Sequence, residues 1–210
     1  MSNGTNTVVV QAHTTGANSP TGSSWSAAAT AQIGAGDNGC NSGSTFPTHS
    51  PAFDNTYYTT PGSGHLWACG AQSSSSSPEL YSIPFTGTGT FGTPVGSGSA
   101  LKVTNHAQCS PLTEIDNGST DYLFLGEGLT GSFGYLYGFT VSGTTPTAIT
   151  NSPITSYPNA SGGTSGIIID NVSAGAQASS IYFTALATST TVCGSISAYC
   201  AIKLTQAGLQ

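Results

Sequence analysis

Glu114, Asp116 and Asp121 fall within eight positions, in LTEIDNGSTDYLFLGEG (112–128), although the whole chain has only 8 acidic residues. Carboxylates at that spacing suit three roles. They are hard oxygen ligands for calcium. Two of them side by side make an acid–base pair. Asx residues also fold tight turns by hydrogen-bonding the backbone. The run DNGSTD resembles the start of a calcium loop. The glutamate needed to close such a loop would be Glu127, at the far end of an apolar strand. The stretch therefore reads first as a hairpin turn, with calcium ranked below it.

Other residues of chemical interest are sparse. His13, His49 and His106 carry imidazoles suited to a transition metal, and Asp37 is a further weak candidate. None of them has helical or ribbon ligand spacing, so loop histidines with hydrogen-bonding roles are the simpler reading. The 5 cysteines, Cys40, Cys69, Cys109, Cys193 and Cys200, include no CxxC pair. That weakens zinc-ribbon and thioredoxin readings and points to an oxidising compartment. GGTSG (162–166) misses the G-x-S-x-G nucleophile elbow by one position. Neither lysine follows a glycine, so a phosphate loop is absent.

Composition narrows the partners. Charged residues make up 5% of the chain, against roughly 25% in ordinary soluble proteins. Lys102 and Lys203 are the only basic side chains apart from histidine, which argues against nucleic acid and anionic membrane surfaces. The apolar runs are short, such as the triplet Val8-Val9-Val10, and all fall far short of the roughly 18 residues of a membrane span. The start, MSNGTNTVVV, lacks the charged and apolar regions of a signal peptide.

The elements that must position these residues are strands. Helix formers are rare, and short β-branched and aromatic clusters alternate with Gly, Ser, Thr and Pro turns. The clusters recur. TVVVQAH (7–13), HLWACGA (65–71), DYLFLGEG (121–128) and SIYFTAL (180–186) place Val8, Leu66, Leu123 and Ile181 at intervals of 58, 57 and 58 residues. A second series follows each: SSWSAAATA (23–31), ELYSIPF (79–85), YLYGFTV (135–141) and CAIKLTQ (200–206). A third precedes all but the first: SPAFDN (50–55), SPLTEIDN (110–117) and SGIIIDN (165–171). GTFGTPV (89–95) and TPTAITNSP (145–153) read as fourth strands. Four short strands repeating at this interval are the arithmetic of a propeller blade. The expected fold is all-β: a single β-propeller segment over 1–210, in units of about 1–49, 50–109, 110–164 and 165–210. That gives about three and a half to four blades of four antiparallel strands, forming an incomplete or open arc. Unpaired strand edges on such an arc favour self-association.

ELYSIPF, CSPLTEIDNG, GGTSGIIIDN and CAIKLTQAGLQ resemble the C-terminal half of uncharacterised secreted bacterial β-propeller repeat proteins, low in charge and similar in style to NHL and YVTN repeats. The resemblance covers about residues 40–210. It implies a propeller fold and an exported location, extracellular or periplasmic, and it implies no activity. A signal peptide and further blades are expected upstream.

Propeller topology sorts loops onto two faces. His13, His49 and His106 fall on one, the expected ligand face, with aromatic candidates Trp25, Phe46, Tyr157 and Tyr199. Aromatic rings among Asn, Ser and Thr suit sugars, although packing on blade edges is the plainer role for them. Cys69 and Cys109 come near enough on this map for a disulfide, and Cys193 and Cys200 bracket a loop that they would staple. The leading functional reading is an extracellular structural or binding module for a glycan or protein, without a cofactor. The alternative is a secreted propeller enzyme, hydrolase or lactonase-like, with His49 and His106 as acid–base or metal groups.

Overall fold

A computed structural model describes residues 6–14, 25–35, 49–71, 77–98, 101, 107–118, 120–128, 134–149, 162–170, 179–188 and 197–205. The strands in it follow the recurrent clusters. β1 (Asn6–Thr14) and β2 (Trp25–Ala35) form an antiparallel hairpin. Three up-and-down sheets come next in chain order. The first contains β3 (Ala52–Phe53), β4 (His65–Ala71) and β5 (Pro78–Gly87), with β6 (Thr90–Phe91) and β7 (Val95–Gly96) both on β5. The second has β8 (Gln108–Cys109) and β9 (Thr113–Asp116) on β10 (Asp121–Gly128), followed by β11 (Gly134–Ser142) and β12 (Thr145–Ala148). The third is β13 (Ile168–Asp170), β14 (Ser180–Thr184) and β15 (Ala201–Thr205). The hairpin joins the first sheet's ladder through one parallel pair, Gly34 with Ala71. The fold is all-β and, that pair apart, antiparallel; the described residues form no closed barrel.

The sheets stack face to face, and the alternation along each strand explains why. On β4, Leu66 and Ala68 pack with Ala31 and Ile33 of β2, while Trp67 and Cys69 pack with Leu123, Leu125 and Tyr137 of the second sheet. On β10, Leu123 and Leu125 face back to the first sheet, and Phe124 faces on to Ile181 and Phe183 of the third. Each inner sheet is therefore buried on both sides. This is why DYLFLGEG reads as a continuous apolar run instead of an apolar–polar alternation. Trp67, Phe124 and Tyr137 are fully buried, each contributing on the order of 1.5–3 kcal/mol from area removed from water.

Two serines show how the first strands of the second and third sheets are held. Ser110 N–H donates to Gly126 O at 2.7 Å, and its hydroxyl accepts the Gly126 N–H at 2.8 Å. Ser165 does the same with Thr184, at 2.9 and 3.0 Å. The hydroxyl supplies the acceptor that a strand backbone would otherwise give, so the small polar residue that opens this series is a ladder component.

One helix was not expected. α1 (Asn55–Thr59) fills the connection from β3 to β4. Asp54 caps it, accepting the Tyr57 N–H at 3.0 Å, the interaction that lets a five-residue turn form in a chain poor in helix formers.

The Cys69–Cys109 disulfide forms, with Cα atoms 6.3 Å apart, and ties the first sheet to the second. Cys200 is also disulfide-bonded; its partner lies outside the described residues. No helix among the described residues is long and apolar enough to cross a membrane.

Candidate functional site

The second sheet departs from its neighbours in register. Phe53 stands opposite Leu66 in the first sheet, and Ile169 opposite Ile181 in the third. The corresponding Leu123 has Glu114 opposite it. Counted from the Asp-Asn that follows or ends the strand opposite β4, β10 or β14, this is a slip of one residue. A one-residue slip turns side chains to the other face. Asp116 accordingly pairs with Asp121. Both turn, with Glu114, towards the first sheet.

Asp54 meets them from that sheet. Its Oδ1 accepts the backbone N–H groups of Tyr57 and His65, and its Oδ2 lies 2.7 Å from His65 Nδ1. Those contacts compensate for its burial, at 4% exposure. Asn55 bridges the gap. Its N–H donates to Asp121 Oδ2 at 2.8 Å, and its side-chain amide donates to Asp116 Oδ2. Asp116 Oδ1 accepts the Gly118 N–H at 2.9 Å, and Asn117 Oδ1 accepts the Thr120 N–H at 2.9 Å. DNGSTD is thus a hairpin turn between β9 and β10. Glu127 is remote from it, fully buried and hydrogen-bonded by the Tyr137 hydroxyl.

The electrostatics centre on Glu114. Burial pushes its carboxyl up to about 9; the hydrogen bond to Asp121 and the charges of Asp121, Asp116 and Asp54 act in the same direction. Glu114 is then a neutral acid at pH 7 beside carboxylates. Glu114 Oε1 and Asp121 Oδ1 are both buried and have no other partner, which a proton on Glu114 accounts for by making it a donor to Asp121.

Beside this group lies an open cleft of about 490 Å³ between the two sheets. Asn55 and Thr56 line one wall, Asp116 and Asp121 another, and Thr140 and Ser142 a third. Tyr58, 65% exposed on α1, lies close enough to Glu114 for its charge to help raise the phenol, after burial. Hydroxyls, carboxylates and amides dominate the lining. Such a surface can accept and donate hydrogen bonds to a polyol. Among the described residues no group of three or more His, Cys, Asp or Glu is arranged to hold a metal ion.

The residues expected from sequence stand elsewhere. His13 lies on β1 opposite Ser26, and Trp25 opens β2 opposite Thr14. His49 is exposed just before β3, and Tyr199, 70% exposed, just before β15. His106, Tyr157, Asp37, Phe46, Cys40 and Cys193 lie outside the described residues. The cleft instead gathers residues read from sequence as turn markers. Asn55 and Asp54 gave no functional signal, because their partners come from a different repeat unit.

No protein-family model, no curated protein and no solved structure matches this chain.

Proposed function

We propose that the chain is a segment of an exported β-propeller and acts as a binding module, taking a hydroxyl-rich ligand such as a glycan in the cleft between its first two sheets. The observation that carries this reading is the cleft itself. It opens between consecutive repeats, and its walls carry Asn55, Asp116, Asp121 and Ser142 in place of apolar side chains. Exposed Tyr58 beside Glu114 offers an aromatic face for a sugar ring. The strand series shared by the three stacked sheets and the resemblance of their sequences support the propeller assignment. The disulfides support the exported location. The experiment is a glycan array followed by ligand-observed NMR. Binding that Asp121→Ala abolishes and His49→Ala leaves intact supports the cleft. Binding that depends on His49 instead moves the site to the other face, and a bare array removes the glycan assignment.

A second reading is a secreted hydrolase. Glu114 favours it, since a carboxylic acid kept neutral beside a carboxylate is the usual pairing for proton donation to a leaving group. Turnover of chromogenic glycosides or esters, lost in Glu114→Gln, would establish it.

A further inference from the structure

We propose that one proton, shared between Glu114 on β9 and Asp121 on β10, clamps this hairpin of the second sheet in the position from which Asp121 holds Asn55 of α1, and that its loss loosens this wall of the cleft. Two buried oxygens here find no donor among the protein's fixed hydrogen atoms. Glu114 Oε1 and Asp121 Oδ1 are buried, an ionised carboxylate can accept but not donate, and neither atom has another partner. One proton satisfies both. The other oxygen of Asp121, Oδ2, holds the Asn55 N–H at 2.8 Å, and the Asn55 amide holds Asp116. Proton, Asp121 and Asn55 therefore form a continuous chain from β9 through β10 to the first turn of α1. The same β9–β10 hairpin and α1 form opposite walls of the cleft.

Among the described residues the surroundings offer no substitute for the proton. The titratable groups among the described residues that face Glu114 are Asp121 on β10, Asp116 on β9, Asp54 before α1, and Tyr58 on α1. His65 on β4 is engaged by Asp54. Lys203 lies on the third sheet, its ammonium 5.7 Å from the Tyr182 ring centroid. Once Glu114 ionises, two carboxylates in contact repel, and the charges of Asp116 and Asp54 add to the repulsion. Burial is the first cause that holds the Glu114 carboxyl up to about 9, so the loosening falls on the alkaline side. The clamp is independent of any ligand.

Carboxyl carbon-13 and amide nitrogen-15 NMR on the full chain tests it. The Glu114 carboxyl carbon is expected to titrate above neutral pH, and the Asn55 amide, hydrogen-bonded to Asp121, to shift in the same step. In Asp121→Asn the partner charge is gone, and the Glu114 titration should move at least tenfold in proton concentration towards the ordinary carboxyl range. In Glu114→Gln, which keeps a donor at that place, the Asn55 step should vanish. A Glu114 carbon that titrates with ordinary glutamates overturns the proposal. So does an Asn55 amide that shifts equally in wild type and Glu114→Gln. The wild-type titration alone decides the first point, whether or not either variant folds.

Discussion

Glu114 occupies, opposite Leu123, the ladder place that Phe53 holds opposite Leu66 and Ile169 holds opposite Ile181. A carboxyl thus sits where the repeat otherwise puts an apolar side chain. Departures from a repeat's own rule concentrate at functional or strained places.

The first prediction is a pH dependence of stability. Unfolded, Glu114 releases its proton near 4.5; folded, it keeps it up to about 9. Between those values the native state binds more protons than the unfolded state, so this group makes stability fall as pH rises, and adds no further slope above the folded value. Urea midpoints measured from about pH 5 to about pH 9 should decline in the wild type and decline less in Glu114→Gln. Equal slopes in the two proteins would mean that Glu114 ionises normally.

The strands were legible from sequence because burial on both faces leaves short, dense apolar clusters such as HLWACGA and DYLFLGEG. The turns around Asp54 and Asp116 were legible because Asx residues cap backbone groups close by in sequence. The site was not. Asp-Asn recurs at the end of the strand that opens each sheet, yet its Asp lies opposite His65 in one sheet, Ser180 in another and Asp121 in the second. The slip in that second ladder is set by a short hairpin, and no local residue preference announces it. It decides which face Glu114 and Asp116 take, and hence that they meet Asp54 and Asn55 across a sheet interface.

The two serine hydroxyls should differ in weight. Ser110→Ala leaves the buried Gly126 N–H without that acceptor, a loss of about 1–3 kcal/mol. Ser165→Ala frees the Thr184 N–H at an exposed place, where water replaces the hydroxyl, at a cost below about 1 kcal/mol. Chemical denaturation of the two variants checks the order; equal losses would show that the hydroxyls do not act as ladder acceptors.

The Cys69–Cys109 bridge spans 40 positions, and its removal in Cys69→Ser/Cys109→Ser should lower stability by about 4 kcal/mol on a chain-entropy basis. Non-reducing peptide mapping should find Cys200 joined to Cys193, the nearer in sequence of the two cysteines left to it. With 5 cysteines in the chain, two bridges then leave Cys40 as a single titratable thiol. Mapping that finds Cys200 on Cys40 would replace the loop staple with a long-range link.

The last prediction concerns β15. Ala185 N–H donates to Cys200 O at 3.1 Å. This fixes the phase of the β14–β15 ladder, so the backbone N–H and C=O groups of Ala201, Lys203 and Thr205 point away from β14. In the first two sheets the equivalent strand carries a further one, β6 and β7 on β5 and β12 on β11; among the described residues β15 carries none. An edge of this kind is a template for another strand unless proline, a bulge or an outward charge blocks it. β15 contains no proline, and the Lys203 ammonium lies over Tyr182. Self-association that rises with protein concentration is therefore expected in sedimentation velocity. Ala201→Pro, which removes one outward donor at the first strand residue where proline is tolerated, should reduce it. A wild-type chain that sediments as a monomer at every concentration would show that the edge is not used.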